Sequence, residues 1–356
     1  MTPKQQWKTL NFNGNQDAIK SILDSIVDAN PNTPANNRWE YLFPLISLFP
    51  HKTKVVFYTL FSENSPVLCL PIVLSKQSKF FISWYEIGFP FHKHINLISI
   101  NSALTYDVLL SLTKRISQDG FKWSRFSIRH ILSYKDFNHT NIEHYVGDVA
   151  WFSTLNDLTT ADIVSKKHLR NIRRLEKKVI PDSGEISFTC NQNGLDTALH
   201  TFSELELNGW KGHSGVAINS CKKLSSMYKK IVENFGLDTV KFFNIHTNDH
   251  LLASALGFEL GNTLYIHKVS FNPEYSIFSP GNILLLKILE SSIESETISI
   301  VNLVTYPSWA KRWHPDKAYT HDIIIYNDTL KGQLLNFLIA SWRRMKPFIK
   351  QGLKRI

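Results

Sequence analysis

Tyr265-Ile266-His267-Lys268-Val269-Ser270-Phe271, then Asn272-Pro273-Glu274-Tyr275-Ser276-Ile277-Phe278, then Ser279-Pro280-Gly281-Asn282-Ile283-Leu284-Leu285-Leu286: this stretch decides the fold. Its first seven residues, rich in β-branched and aromatic side chains, read as a buried strand. Ser279 suits a helix N-cap and Pro280 the first helical position, while Gly281 lets another group approach the backbone. The helix that follows, 282–293, is apolar on nearly every side and must be buried. A buried helix opening on a strand-loop presents unpaired N–H groups and a partial positive charge, which suits a phosphate. Taken alone, Ser-Pro-Gly is also ordinary capping.

Working outward, strands at 240–246, 251–259 and 263–271 form a meander around the turns Thr247-Asn248-Asp249-His250 and Gly261-Asn262. Upstream lie a strand at 149–155, a basic helix at 159–179, a strand at 185–189 and a helix at 195–208. A loop at 209–216 and a helix at 222–235, closed by Gly236, complete that side. Downstream come strands at 298–303 and 322–326 and a C-terminal helix. Residues 1–150 show a similar succession. Helices at 16–29 and 39–48 (interrupted by Pro44) precede a hairpin at 55–62 and 66–74. A strand at 80–87, a helix at 106–117 and a strand at 126–131 follow. The expected class is α/β of the α+β kind, with a mixed, mostly antiparallel sheet flanked by helices in each half. The expected divisions are 1–150, 151–328 and a tail at 329–356.

The chain has 356 residues, 43% hydrophobic, which is enough for two cores. Its net charge of +10 favours phosphate-bearing partners without naming one. Cys69, Cys190 and Cys221 are too few and too scattered for a disulfide framework or structural zinc, so each is expected to be a small buried hydrophobe. His92 and His94 have no third ligand near them in sequence, and no metal is expected. The N-terminus has no apolar signal segment and no run is long enough to span a bilayer, so a cytoplasmic location is expected.

Group transfer from a phosphate-bearing donor needs a held donor, a deprotonated acceptor and a stabilised developing charge. Glu206, before Gly209-Trp210-Lys211, is the first candidate for general base or amine ligand, and a solvated helix carboxylate is the plain alternative. His267 and Lys268 are neighbours on one strand and should point to opposite faces. One could face a cleft, and a core histidine is the alternative. Tyr275 is the candidate acid for the leaving group, or else a loop aromatic. Trp210, Trp309 and Trp313, with Lys211, would wall an acceptor pocket, unless the tryptophans simply pack in the core. Lys166, Lys167, Arg170, Arg173, Arg174, Lys177 and Lys178 give one helix a cationic face. The basic amphipathic segment 330–356 would suit an anionic inner-membrane surface or its own domain equally.

Gly209-Trp210-Lys211-Gly212, Ala253 to Gly257, Thr263-Leu264-Tyr265, Lys268, Tyr275, Ser279-Pro280-Gly281 and Lys311-Arg312-Trp313 occur in one order. Over about residues 150–326 this set resembles the GNAT acyltransferases of the CelD type, linked to cellulose biosynthesis and related to the FemABX peptidoglycan aminoacyl transferases. The resemblance implies tandem GNAT-like domains and acetyl-CoA or another acyl-CoA as co-substrate. It also implies donor contacts from Lys268, Ser279, Gly281 and Asn282, and direct transfer to a cell-envelope or polysaccharide precursor. That acceptor would be a small molecule or a lipid-linked sugar. Two departures stand out. The Gln/Arg-x-x-Gly-x-Gly/Ala loop is reduced to Ser279-Pro280-Gly281, and Asn302-Leu303-Val304 replaces an acidic strand end. A FemABX-like transferase using aminoacyl-tRNA, the one reading that calls for nucleic acid, and a non-catalytic GNAT-fold binding module are the rival implications.

Overall fold

The computed structural model describes residues 5–353 except 51, 80–81, 89–97, 100–104, 132–141, 154, 156–158, 180–184, 193 and 249. In chain order the first elements are β1 (Gln5–Asn11), α1 (Gln16–Ala29), α2 (Trp39–Ile46), β2 (Val55–Ser62), β3 (Ser65–Lys79) and β4 (Ile82–Gly88). Next come β5 (Ile98–Ser99), α3 (Tyr106–Gln118), β6 (Arg125–Ile131), β7 (Ile142–Phe152), α4 (Thr160–Ile163) and α5 (Lys166–Val179). Then follow β8 (Ile186–Cys190), α6 (Leu195–Leu207), α7 (Trp210–His213), α8 (Lys222–Thr239), β9 (Val240–Thr247), β10 (His250–Leu260) and β11 (Thr263–Phe271). The chain ends with α9 (Pro280–Ile293), β12 (Ile300–Asn302), β13 (Asp316–Tyr326) and α10 (Leu330–Leu353).

Two compact units result. One comprises Met1–Ala29, Pro50–Gly147 and Tyr319–Ile356, the other Asn30–Phe49 and Asp148–Ala318. They are therefore not the contiguous segments 1–150, 151–328 and 329–356. The short segment carrying α2 packs on α8 in the second unit, and the C-terminal residues belong with the first. Composition does not signal such an exchange, because each piece is an ordinary amphipathic or β-rich segment.

Within the first unit the strand order is β1-β2-β3-β4-β6-β13, with β5 added beside β3. The one parallel pair on this path is β4–β6, joined at Glu86/Arg125, Ile87/Phe126 and Gly88/Ser127. Within the second unit the order is β8-β9-β10-β11-β12-β7, and the parallel pair is β11–β12. The two paths are the same, with α3 bridging one parallel pair and α9 the other, so the restart seen in sequence is a repeat of topology. A parallel step needs a crossover connection, and in each unit a helix lies on it.

Each unit has its own core. In the first, Leu109, Leu112 and Ile116 of α3 pack on Val56, Tyr58, Leu70 and Phe126. In the second, Ile283, Leu284, Leu285, Leu286, Ile288 and Leu289 of α9 are buried against Ala253, Ala255, Leu264 and Ile266. Six such side chains contribute roughly 9–18 kcal/mol of gross burial before the entropy of ordering them is set against it. The unusually apolar helix is thus fixed along its length.

Several local expectations change. Pro44 does not interrupt its helix, which runs from Trp39 to Ile46. The basic helix is two helices. Val164 is extended, Asp162 and Thr159 form a capping box, and the Ser165 hydroxyl accepts from the His168 amide to start α5. The loop at 209–216 contains α7. Cys69 is buried, but Cys190 and Cys221 are exposed. His92 and His94 lie outside the described residues. Among the described residues no helix is long and apolar enough to cross a membrane. On α10, Leu330, Leu334, Phe337 and Met345 are exposed.

Candidate active site in the second unit

Strands β11 and β12 pair at only three positions, Thr263/Ile300, Leu264/Val301 and Tyr265/Asn302. β11 continues to Phe271 while the chain after β12 turns away. The turn is sharp. Val304 sits in the left-handed region at φ +61°, and the Thr305 amide donates to the Leu303 carbonyl at 2.6 Å. The Asn302 carboxamide Oδ1 accepts from the Val304 amide at 2.7 Å and holds the turn. A β-branched residue in this conformation costs of order 1–3 kcal/mol, so the surrounding structure enforces it. The result is a cleft of about 610 Å³ opening between Ile266–Val269 on one side and Leu303, Thr305, Pro307 and Trp309 on the other.

The N-terminus of α9 borders the same cleft through Ser279, Pro280, Gly281 and Asn282. Ser279 occupies the N-cap position, as expected, but in the left-handed conformation (φ +53°), and its side chain makes no capping hydrogen bond. Its carbonyl instead accepts from the Asn282 amide at 2.9 Å and the Ile283 amide at 3.4 Å. The Gly281 amide has no partner among the described residues, and the helix dipole adds to it. A Cβ at Gly281 would meet only the Phe271 ring, at 3.9 Å. The backbone here stands in open space.

On the strand itself a bulge resets the alternation. Leu256 faces Lys268 and Gly257 faces Ile266, so His267 is the extra residue. Gly257 opposite it is tightly enclosed, since a Cβ would lie 3.2 Å from Leu264 Cδ1 and from the Tyr265 carbonyl. His267 and Lys268 do not point to opposite faces, as alternation implied; both reach Tyr228 of α8. His267 Nε2 lies 3.1 Å from the Tyr228 hydroxyl and 3.4 Å from that of Tyr41 on α2. Lys268 Nζ stands 5.4 Å over the Tyr228 ring. Burial pushes both phenols well above the ordinary tyrosine range, so they remain hydroxyls.

Beside this pair, Glu206 at the end of α6 is fully buried. Its Oε1 accepts from Lys268 Nζ at 2.8 Å and Lys211 Nζ at 2.9 Å, and its Oε2 accepts from the Ile218 amide at 2.8 Å. Burial alone would raise its carboxyl pKa, but the Lys268 and Lys211 ammonium groups outweigh burial and hold it below the ordinary range. Burial depresses Lys268, with Glu206 pulling the other way. Lys211 also donates to the Val269 carbonyl at 3.0 Å. It is delivered there by the one-turn helix α7, whose Gly212 is obligatory. A Cβ would come within 1.7 Å of the Leu207 carbonyl oxygen. That contact gives the Gly-Trp-Lys-Gly string its physical reason.

The cleft gathers Trp210, Lys211, His267, Lys268, Ser279, Gly281, Asn282 and Trp309. Three sequence candidates lie elsewhere. Glu206 is behind the two lysines. Tyr275 packs on the core beneath the 3₁₀ segment Pro273–Phe278, near His250. Trp313 is fully buried, donating from Nε1 to Asn282 Oδ1 at 3.2 Å; it braces the helix mouth instead of walling a pocket. Trp210 and Trp309 are 67% and 43% exposed and form the rim. Tyr41, Tyr228 and the Val304 turn carry no local sequence signal. Tyr228 sits at a core position of an ordinary helical stripe, and Tyr41 lies more than two hundred residues from its partner. Among the described residues no group of three or more His, Cys, Asp and Glu side chains could hold a metal.

A strand meander, a helical crossover and a splayed parallel pair beside that helix's N-terminus define the GNAT fold, and residues 166–313 match the model of an acetyltransferase (GNAT) domain. The crystal structure of FemX superposes with a TM-score of 0.55 at 11% identity, covering 92% of this chain and all of that one. The C-terminal domain of a putative lysylphosphatidylglycerol synthetase from Agrobacterium fabrum gives 0.50 at 12% identity, covering 88% and 95%. A tandem GNAT protein from the clavulanic acid biosynthesis pathway aligns over 92% of this chain and all of its own, with a TM-score of 0.47 and 11% identity. No curated protein matches the sequence.

Proposed function

We propose that the protein is an acyl-CoA-dependent N- or O-acyltransferase whose acceptor is a cell-envelope or polysaccharide precursor, with chemistry in the second unit. The observation that carries this reading is the splay of β11 from β12 directly beside the uncapped start of α9. The open edge of β11 can take the extended arm and thioester of the donor, and the Gly281 amide and helix dipole can take its diphosphate. The first unit supplies the contrast. There the Thr105 hydroxyl, as N-cap, accepts from the Val108 amide at 3.3 Å and closes the start of α3.

In the proposed reaction the acceptor nitrogen or oxygen attacks the thioester carbon, the C–S bond breaks, and the acceptor's proton is passed on as CoA leaves as the thiol. We assign the proton-accepting role to His267, oriented by Tyr228 and Tyr41. The two phenols meet its Nε2, at 3.1 Å from Tyr228 and 3.4 Å from Tyr41, and fix the ring. Glu206 is a counter-ion, because a carboxylate held anionic by two ammonium groups is a weak base.

A donor that binds the folded state raises the melting temperature. At one hundred times Kd the stabilisation is about 2.7 kcal/mol. Acetyl-CoA or a longer acyl-CoA is expected to give that shift in a thermal melt. The exposed cationic face of α5 favours one rival, an aminoacyl-tRNA donor. Retention on tRNA at low salt together with no shift from any acyl-CoA would select it over the present reading.

A further inference from the structure

One carboxylate faces two ammonium groups at the floor of the cleft. Lys211 and Lys268 share a single oxygen of Glu206, and the second oxygen is taken by the Ile218 amide. Both lysines line the cleft, while Glu206 is sealed behind them. The cluster therefore presents one surplus positive charge to the cavity, in surroundings where burial already disfavours a second ammonium. An uncompensated, half-buried cation is costly and is relieved by an incoming anion. In the proposed reading the donor's diphosphate is met by the start of α9 and not by this pair. The α9 start belongs to the helix packed on the Ala253/Ala255/Leu264/Ile266 face of the sheet. His267 and Lys268, displaced by the bulge, reach side chains of α6 and α8.

We infer that Lys211 and Lys268 form a specificity site for an anionic group, a carboxylate or a phosphate, on the acceptor, in the cleft that His267 also lines. The inference rests on the acyltransferase reading and narrows the acceptor to an acidic molecule. Glu206 sets the charge of the site. With it, the pair carries room for one negative charge; without it, for two.

The test uses the full chain saturated with acetyl-CoA and titrated by calorimetry with sodium phosphate or sodium acetate, at an ionic strength held constant with sodium chloride. One of the two anions is expected to bind, and which one it is distinguishes a phosphate-bearing from a carboxylate-bearing acceptor. Lys268→Met leaves Glu206 paired with Lys211 and the site neutral, so anion affinity should fall at least tenfold. Glu206→Gln raises the surplus charge, so affinity should rise, the opposite sign from a structural lesion. Circular dichroism on both variants checks folding. Absence of binding by either anion to the donor-saturated protein would overturn the inference, as would unchanged affinity in Lys268→Met. If acetyl-CoA itself does not bind, the proposed donor fails, and the same titration on the free protein still decides the anion site.

Discussion

Gly281→Glu should abolish the thermal shift given by acetyl-CoA while leaving the unliganded melting temperature unchanged or slightly raised. The space is available, since only the Phe271 ring lies within 4 Å of a Cβ there. A carboxylate in the first turn of α9 interacts favourably with the helix dipole by about 0.3–1 kcal/mol, so the substitution does not harm the fold. The same carboxylate would stand where the proposed donor's diphosphate is placed. Two unit charges about 4 Å apart at an effective dielectric near 20 repel by roughly 4 kcal/mol, or about a thousandfold in Kd, and a diphosphate carries more than one charge. Calorimetric titration with acetyl-CoA measures the loss. The separation of effects matters: binding is lost and stability is kept.

Glu206→Ala should destabilise the protein by roughly 3–5 kcal/mol, read as a lower denaturant midpoint. The substitution strands two half-buried ammonium groups and removes the acceptor of the Ile218 amide. Glu206→Gln keeps the acceptor and should cost less. The pH dependence has a definite sign. Glu206 has its carboxyl pKa depressed in the folded state. Its contribution is present above the ordinary glutamate value of the unfolded chain, about 4.3, and is lost as pH falls through the folded value. Wild type should therefore lose stability on acidification below about pH 4, and Glu206→Gln should lack that component.

Much of this site could be read from the sequence because its parts are local. Ser279-Pro280-Gly281 announces a helix start within four residues, and the apolar run after it announces burial. The meander turns at Asn248 and Gly261 are short-range signals, and both adopt positive φ in the structure. What failed did so for longer-range reasons. The alternation rule placed His267 and Lys268 on opposite faces, but a bulge set by the pairing of β10 with β11 moved them together. In sequence Glu206 reads as a general base, an amine ligand or a solvated carboxylate; two lysines from other elements meet on one of its oxygens. Trp313 resembled Trp210 and Trp309 in sequence; only packing separates the buried brace from the exposed rim. The division of the chain into discontinuous units depends on where α2 and β13 dock, which their own composition does not encode.

The donor's diphosphate is expected at the start of α9, with its arm along the open edge of β11. A crystal structure of the protein grown with coenzyme A tests it directly. Diphosphate density at the Gly281 amide, with the arm between Ile266–Val269 and Leu303–Thr305, is the predicted result. Coenzyme A bound elsewhere on the chain, or that cleft left without it at saturating concentration, would contradict the account.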